Sequence, residues 1–172
     1  THEHKDHTAG LDDIRSYNFR QEMDMPIYGH ERVIKQLKKE FAYVFAEHKY
    51  PGAPRIEINS IDNTPFSING ITIIPIEVMH HQLSVFGFRF DDMAYITDAK
   101  SISEDEKKKL SGLKILVLNA LQKSPHISHF TLAEATEMAL EIGAEKTYLT
   151  HISHNLGAHR DVEKELPDNI HL

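Results

Sequence analysis

The sequence contains no cysteine, which removes disulfides and thiolate metal ligands together and agrees with a reducing compartment such as the cytoplasm. It has no apolar run near the roughly 20 residues that cross a bilayer, and no signal-peptide pattern opens it. A basic excess is missing as well. Nineteen Lys and Arg stand against 26 Asp and Glu, a formal charge of −7, which argues against a general nucleic-acid binder because phosphate backbones attract basic surfaces. No internal repeat, low-complexity segment or linker interrupts the chain. What is left is ordinary for a soluble globular protein: 172 residues, 40% apolar and 26% charged. That length suits one domain with a real core, here expected over 1–172, and is short for two.

Histidine is the residue in excess, with thirteen copies, and imidazole binds transition metals and titrates near neutrality. The opening stretch Thr1-His2-Glu3-His4-Lys5-Asp6-His7 concentrates them. In an extended segment, side chains two apart point the same way, so His2 and His4 share a face. Asp6 and His7 follow where the chain turns into a loop that enters a helix. Such a corner can aim two imidazoles at one cation, and a carboxylate with a third imidazole at another. Read alone, the stretch is either that or a frayed, His-rich chain end.

Further along, Met25 to Gly29 reads as a short strand and His30 to Glu47 as a helix, with Val33, Ile34, Leu37, Phe41, Val44 and Phe45 at helical spacing. Arg55 to Ile61 alternates like a strand. Asn69-Gly70 between two apolar runs predicts a hairpin, and Ile71 to Val78 continues as a strand that runs into Met79-His80-His81. Strands are expected over 85–90 and 93–97, the latter ending at Asp98. A capped helix follows over 103–110, with Ser103 and Glu106 three apart. Ile115 to Leu118 is a fully apolar strand, and 119–130 a loop holding His126 and His129. Thr131 to Ile142 is an amphipathic helix closed by Gly143. Lys146 to Thr150 is a strand that delivers His151, with His154 three residues on. Hairpins in the first half and alternating strand and helix in the second suggest a β-sandwich with helices outside. His2, His4, His81, Asp98 and His151 all fall where apolar strands end, and strand ends that converge on one rim commonly build a site.

Four segments in order, the His-x-His-x-Asp-His opening, His81-Gln82-Leu83-Ser84-Val85-Phe86-Gly87, Tyr95-Ile96-Thr97-Asp98 and Leu149-Thr150-His151-Ile152-Ser153-His154, resemble the metallo-β-lactamase-fold hydrolases over nearly the whole chain. The similarity is greatest to their phosphodiesterase branch, which holds ribonuclease Z and the cyclic-phosphate phosphodiesterase of the carbon–phosphorus lyase pathway. The resemblance implies an α/β fold, the αββα sandwich of that family. Family members usually place several strands before the opening motif and one more at the far end. The expectation is therefore a domain lacking those N-terminal strands and the last C-terminal one.

The resemblance also implies a site. His2, His4 and His81 would hold one divalent metal ion, Asp6, His7 and His151 a second, and Asp98 would bridge the two. Zinc and manganese suit these ligands, and iron remains open. Asp6 would orient a water shared by the metals or take its proton, and His129 would protonate a leaving alkoxide or stabilise phosphoryl oxygens. His154 would orient a ligand or the substrate. For His80, neighbouring His81, side-chain directions should diverge, and the match favours His81.

The expected activity is a binuclear metal-dependent hydrolase, a phosphodiesterase acting on a small or nucleotide-like phosphodiester. A thioesterase or lactonase on the same fold is the alternative, and a non-catalytic metal-binding module the third reading. Transfer RNA is the weaker substrate expectation, since no long basic, glycine-rich arm is present. The branch also includes dimers.

Overall fold

The structure, a computed structural model, describes residues 1–172 as two units, Thr1–Asp62 and Asn63–Leu172. The first unit runs through α1 (Lys5–Thr8), a 3-10 stretch at Ala9–Ile14, α2 (Arg15–Gln21), β1 (Met25–His30), α3 (Glu31–Glu40), a 3-10 turn at Ala42–Val44 and β2 (Ile56–Ile61). β1 and β2 pair in parallel, from Met25 opposite Ile56 to His30 opposite Ile61. The apolar stripe of α3 buries Val33, Ile34 and Leu37 with Phe41 and Val44, packed by Ile27, Ile56 and Ile58. Asn18 fastens α2 beneath this core: its carboxamide donates to the carbonyls of Met23 and Arg55 and accepts from the Arg55 amide.

α3 stops at Glu40 rather than continuing to Glu47. Phe41 leaves helical geometry at φ −106°, ψ 40°. Aromatic and β-branched residues lose side-chain freedom in a helix, and Phe41-Ala42-Tyr43-Val44-Phe45 instead coils tightly enough to bury Phe41 and Val44.

The second unit carries β3 (Phe66–Ile68), β4 (Ile71–His80), β5 (Leu83–Phe90), β6 (Met93–Ile96), β7 (Ser101–Ile102), α4 (Glu104–Lys108), β8 (Ile115–Asn119), α5 (Leu132–Ile142), β9 (Lys146–Thr150), α6 (His159–Val162), a 3-10 turn at Glu163–Glu165 and β10 (Ile170–His171). One eight-stranded sheet holds them in the order β10-β9-β8-β6-β5-β4-β3, with β7 beside β4. Asn69 and Gly70 adopt φ of 50° and 83°, the left-handed pair of a two-residue hairpin, and set β3 against β4. β6, β8, β9 and β10 are parallel, so long connections join them.

α5 serves as one of those connections. Thr131 accepts from the Glu134 amide while Glu134 accepts from the Thr131 amide, and Gly143 closes the helix at φ 70°. Its small residues Ala135 and Ala139 let it lie against β8, and they share the main core with Leu116 and Leu118. Two strands were not legible beforehand. β7 and β10 are two residues each, too short to show alternation, and β10 places a strand at the far end where none was expected.

Candidate metal-binding site

In the first unit the opening motif is half strand-like and half helical. His4 is extended at φ −65°, ψ 149° and α1 begins directly after it. His2 is 1% exposed, with its ring centroid 4.4 Å from that of His4 and 4.3 Å from that of His7. His2 Nε2 lies 2.8 Å from His4 Nδ1, and Thr1 Oγ1 is 3.2 Å from Nδ1 of both His2 and His7. Asp6 stands 3.4 Å from His7 Nε2. Three imidazoles and a carboxylate gather here.

In the second unit the site forms at the ends of strands. His80 closes β4, Asp98 follows β6 and His151 follows β9. Asp98 is 2% exposed, and His151 Nε2 sits 3.1 Å from its Oδ1. His80 and Asp98 offer ligand atoms within 4.8 Å of each other, as do Asp98 and His151. Thr97 Oγ1 donates to Asp98 Oδ1 at 2.6 Å. His129, 8% exposed, lies among them, its ring stacked 4.9 Å from that of His151 and tilted at 4.6 Å from that of His80.

Of the adjacent pair, the structure turns His80 inward and leaves His81 outside. His81 is exposed, in the turn after β4 at φ 57°, so the assignment made to His81 moves to His80. The reason is strand parity: the alternation that buries Ile76 and Val78 puts His80 in phase with them and His81 out of phase. His154 is likewise exposed. His126, in the same loop, is half-buried with its ring 4.9 Å from that of His129.

Burial pushes the His129 imidazole down to about 4; His80, His151 and His126 add to this and the Asp98 carboxylate opposes it. The ring is therefore neutral near pH 7 and can donate one hydrogen bond. Its Nδ1 is buried without a hydrogen-bond partner, an atom that normally acquires one.

A family model described as a beta-lactamase superfamily domain matches residues 1–152. The chain belongs to this superfamily. Its α/β architecture is that of the metallo-β-lactamase fold: a diphosphatase from the PhnP family superposes on all of this chain with a TM-score of 0.90 and 35% identity, 66% of that chain being covered. Human tRNase Z, short form, shares the fold at a TM-score of 0.66 and 18% identity over 90% of this chain and 71% of its own. An octanoyltransferase of Porphyromonas gingivalis is 32% identical over 173 residues, 99% of this chain but 35% of that protein. The chain thus spans about a third of the curated relative it matches.

Superfamily membership implies divalent metal, and the second unit's residues fit one. His80 Nδ1 lies 2.9 Å from the Ser128 carbonyl. A carbonyl only accepts, so Nδ1 carries the hydrogen and, in the neutral ring, Nε2 keeps its lone pair for a metal. Imidazole and carboxylate without thiolate suit zinc, manganese or iron.

Behind Asp98 lies a residue that the sequence did not single out. Asn119, at the end of β8, is fully buried. Its Oδ1 accepts from the Ala99 amide at 2.6 Å and its Nδ2 donates to the Ala99 carbonyl at 3.0 Å. A polar residue that ends the apolar run Ile115-Leu116-Val117-Leu118 is the one signal that pointed to it.

Proposed function

We propose that this chain is a metal-dependent hydrolase whose substrate is a small or nucleotide-like phosphodiester. The observation that carries the reading is the group of buried His80 and Asp98 with half-buried His151, on which His129 stacks. In this reading His80, Asp98 and His151 of the second unit are metal ligands, and His2, His4, Asp6 and His7 of the first unit are candidate ligands in their own right. Divalent ions bound there would lower the pKa of water toward neutrality and draw charge from phosphoryl oxygens.

The chain's own residues have the remaining tasks. Asp98 holds position through the Thr97 hydroxyl, with His151 beside it. Asp6, exposed beside His7, accepts a proton from the attacking water. His129, neutral, donates its ring N–H to an oxygen of the phosphoryl group or leaving group, a contact that strengthens as negative charge develops. The similarity to a PhnP-family diphosphatase along the whole chain supports phosphorus–oxygen chemistry.

A second reading, hydrolysis of another ester class such as a thioester or lactone, draws support from the match to an octanoyltransferase. The test is a single panel on protein reconstituted with zinc or manganese: bis(p-nitrophenyl) phosphate, a cyclic nucleotide, an acyl thioester and a lactone. Turnover of phosphodiesters, lost in His129→Ala, is the expected result. Turnover of the thioester or lactone alone moves the chain to the second reading. Metal uptake with no turnover of any of the four makes it a binding module.

A further inference from the structure

Asp98 belongs to no strand, yet its carboxylate must face His80 and His151 at once. It follows β6 in a four-residue loop, 97–100, that ends where β7 begins. A short loop between strands can hold such an aim only if its backbone is tied down on more than one side.

We propose that Asn119 is the residue that positions Asp98, acting through the backbone of Ala99; the inference rests on the metal-ligand reading of Asp98. The carboxamide takes both backbone groups of Ala99, accepting from its N–H and donating to its carbonyl. The same carbonyl accepts from the Phe130 amide at 2.9 Å, which fixes the loop against the residue next to His129. One residue on, the Lys100 amide donates to the Met79 carbonyl at 2.7 Å, next to His80. Beside Asn119 itself, the Ala120 amide donates to the Thr150 carbonyl at 2.9 Å, next to His151. Each of the four site residues thus neighbours a backbone group held in one network, and Asn119 is the side chain that clasps both backbone groups of Ala99.

The two arms of the carboxamide have different tasks. In Asn119→Asp the acceptor to the Ala99 N–H survives, but the donor becomes an oxygen that faces the Ala99 carbonyl at hydrogen-bond distance and repels it. The loop must then swing, and Asp98 with it. Leu116→Ala is the control. It opens a cavity in the same strand, with Leu116 fully buried, and leaves the clamp intact.

The experiment measures the zinc dissociation constant by competition with a chromophoric chelator, below each variant's melting temperature, together with the visible spectrum of the cobalt-substituted protein. Asn119→Asp is expected to bind zinc about 10–100-fold more weakly, the usual effect of losing a group that orients a ligand, and to alter the cobalt bands. Leu116→Ala is expected to melt lower and bind zinc like wild type. An unchanged constant in Asn119→Asp, or an equal loss in Leu116→Ala, overturns the proposal. If Asn119→Asp does not fold, amide hydrogen exchange of the metal-free wild-type protein decides: a protected Ala99 amide supports the clamp, and rapid exchange there overturns it. Wild-type protein that takes up no zinc, cobalt or manganese refutes the metal-ligand reading, and with it Asn119 as a positioning residue.

Discussion

Single side chains carry the clearest expectations. Asp98→Ala removes the buried carboxylate that faces His80 and His151, so elemental analysis should find the metal held there lost. His129→Ala leaves every proposed ligand in place. It should keep its metal while its rate falls about 10²–10³-fold, the scale of losing one donor to developing charge. The adjacent histidines divide in the same assay: His80→Ala should lower metal content and His81→Ala should not. The residues that the structure gathers were nameable one by one. Asp98 and His151 drew notice because they end apolar strands, the opening stretch because of its histidine spacing, and His129 through the resemblance to the phosphodiesterase branch. Which of His80 and His81 faces inward is decided by strand parity, which a motif match does not read. Asn119 went unnoticed because its partners are backbone groups, which leave no trace in sequence.

Elements depend on close approach and on caps. A Cβ at Gly87 in β5 would sit 2.9 Å from the Tyr95 carbonyl oxygen and from Ile96 Cγ1. Backbone does not yield, so Gly87→Ala should cost about 1–3 kcal/mol, read as a lower urea midpoint. Thr131→Ala breaks the reciprocal cap of α5 and should cost about 0.5–2 kcal/mol in the same measurement.

α4 is pinned to the sheet by Glu106, whose carboxylate accepts from the Glu77 amide and the Asn63 carboxamide, both at 2.9 Å, and pairs with Lys109 at 2.8 Å. Burial pushes this carboxyl up, but Lys109, Asn63 and the Glu77 amide together outweigh it and hold it below its ordinary 4.5. A carboxyl held low in the folded state stabilises above its unfolded value and loses that contribution as pH falls through the folded one. Wild-type stability should therefore drop below about pH 4.5, and Glu106→Gln should flatten that part of the profile.

For the whole molecule, metal and stability are linked. If metal binds only the folded chain, a hundredfold excess over the dissociation constant adds about 2.7 kcal/mol, so chelator should lower the melting temperature by about 5–10 °C for a chain of this size. An unchanged melting curve after chelation would speak against an assembled site. The fold was legible at this scale where long-range order follows local rules: the Asn-Gly hairpin, the apolar β8 and the capped α5 each appear where periodicity placed them. β7, β10 and the early end of α3 were not, since tertiary packing decides them and local preference is weak there.

The strand order of the second unit also determines how it should respond to force. β3 and β10 lie at opposite edges of the sheet, six lateral spacings or about 29 Å apart. Tension applied at Asn63 and Leu172 pulls across the strands, so the ladders open one after another as a zipper does. The two-residue parallel pairing of β10 on β9 should part first, and the eight-residue pairing of β4 with β5 last. His80, Asp98 and His151 stand at the ends of β4, β6 and β9, so a metal ion held among them would act as a rivet through the sheet. In an optical trap, the metal-loaded protein should resist tearing at β9 to a higher force than the chelated one.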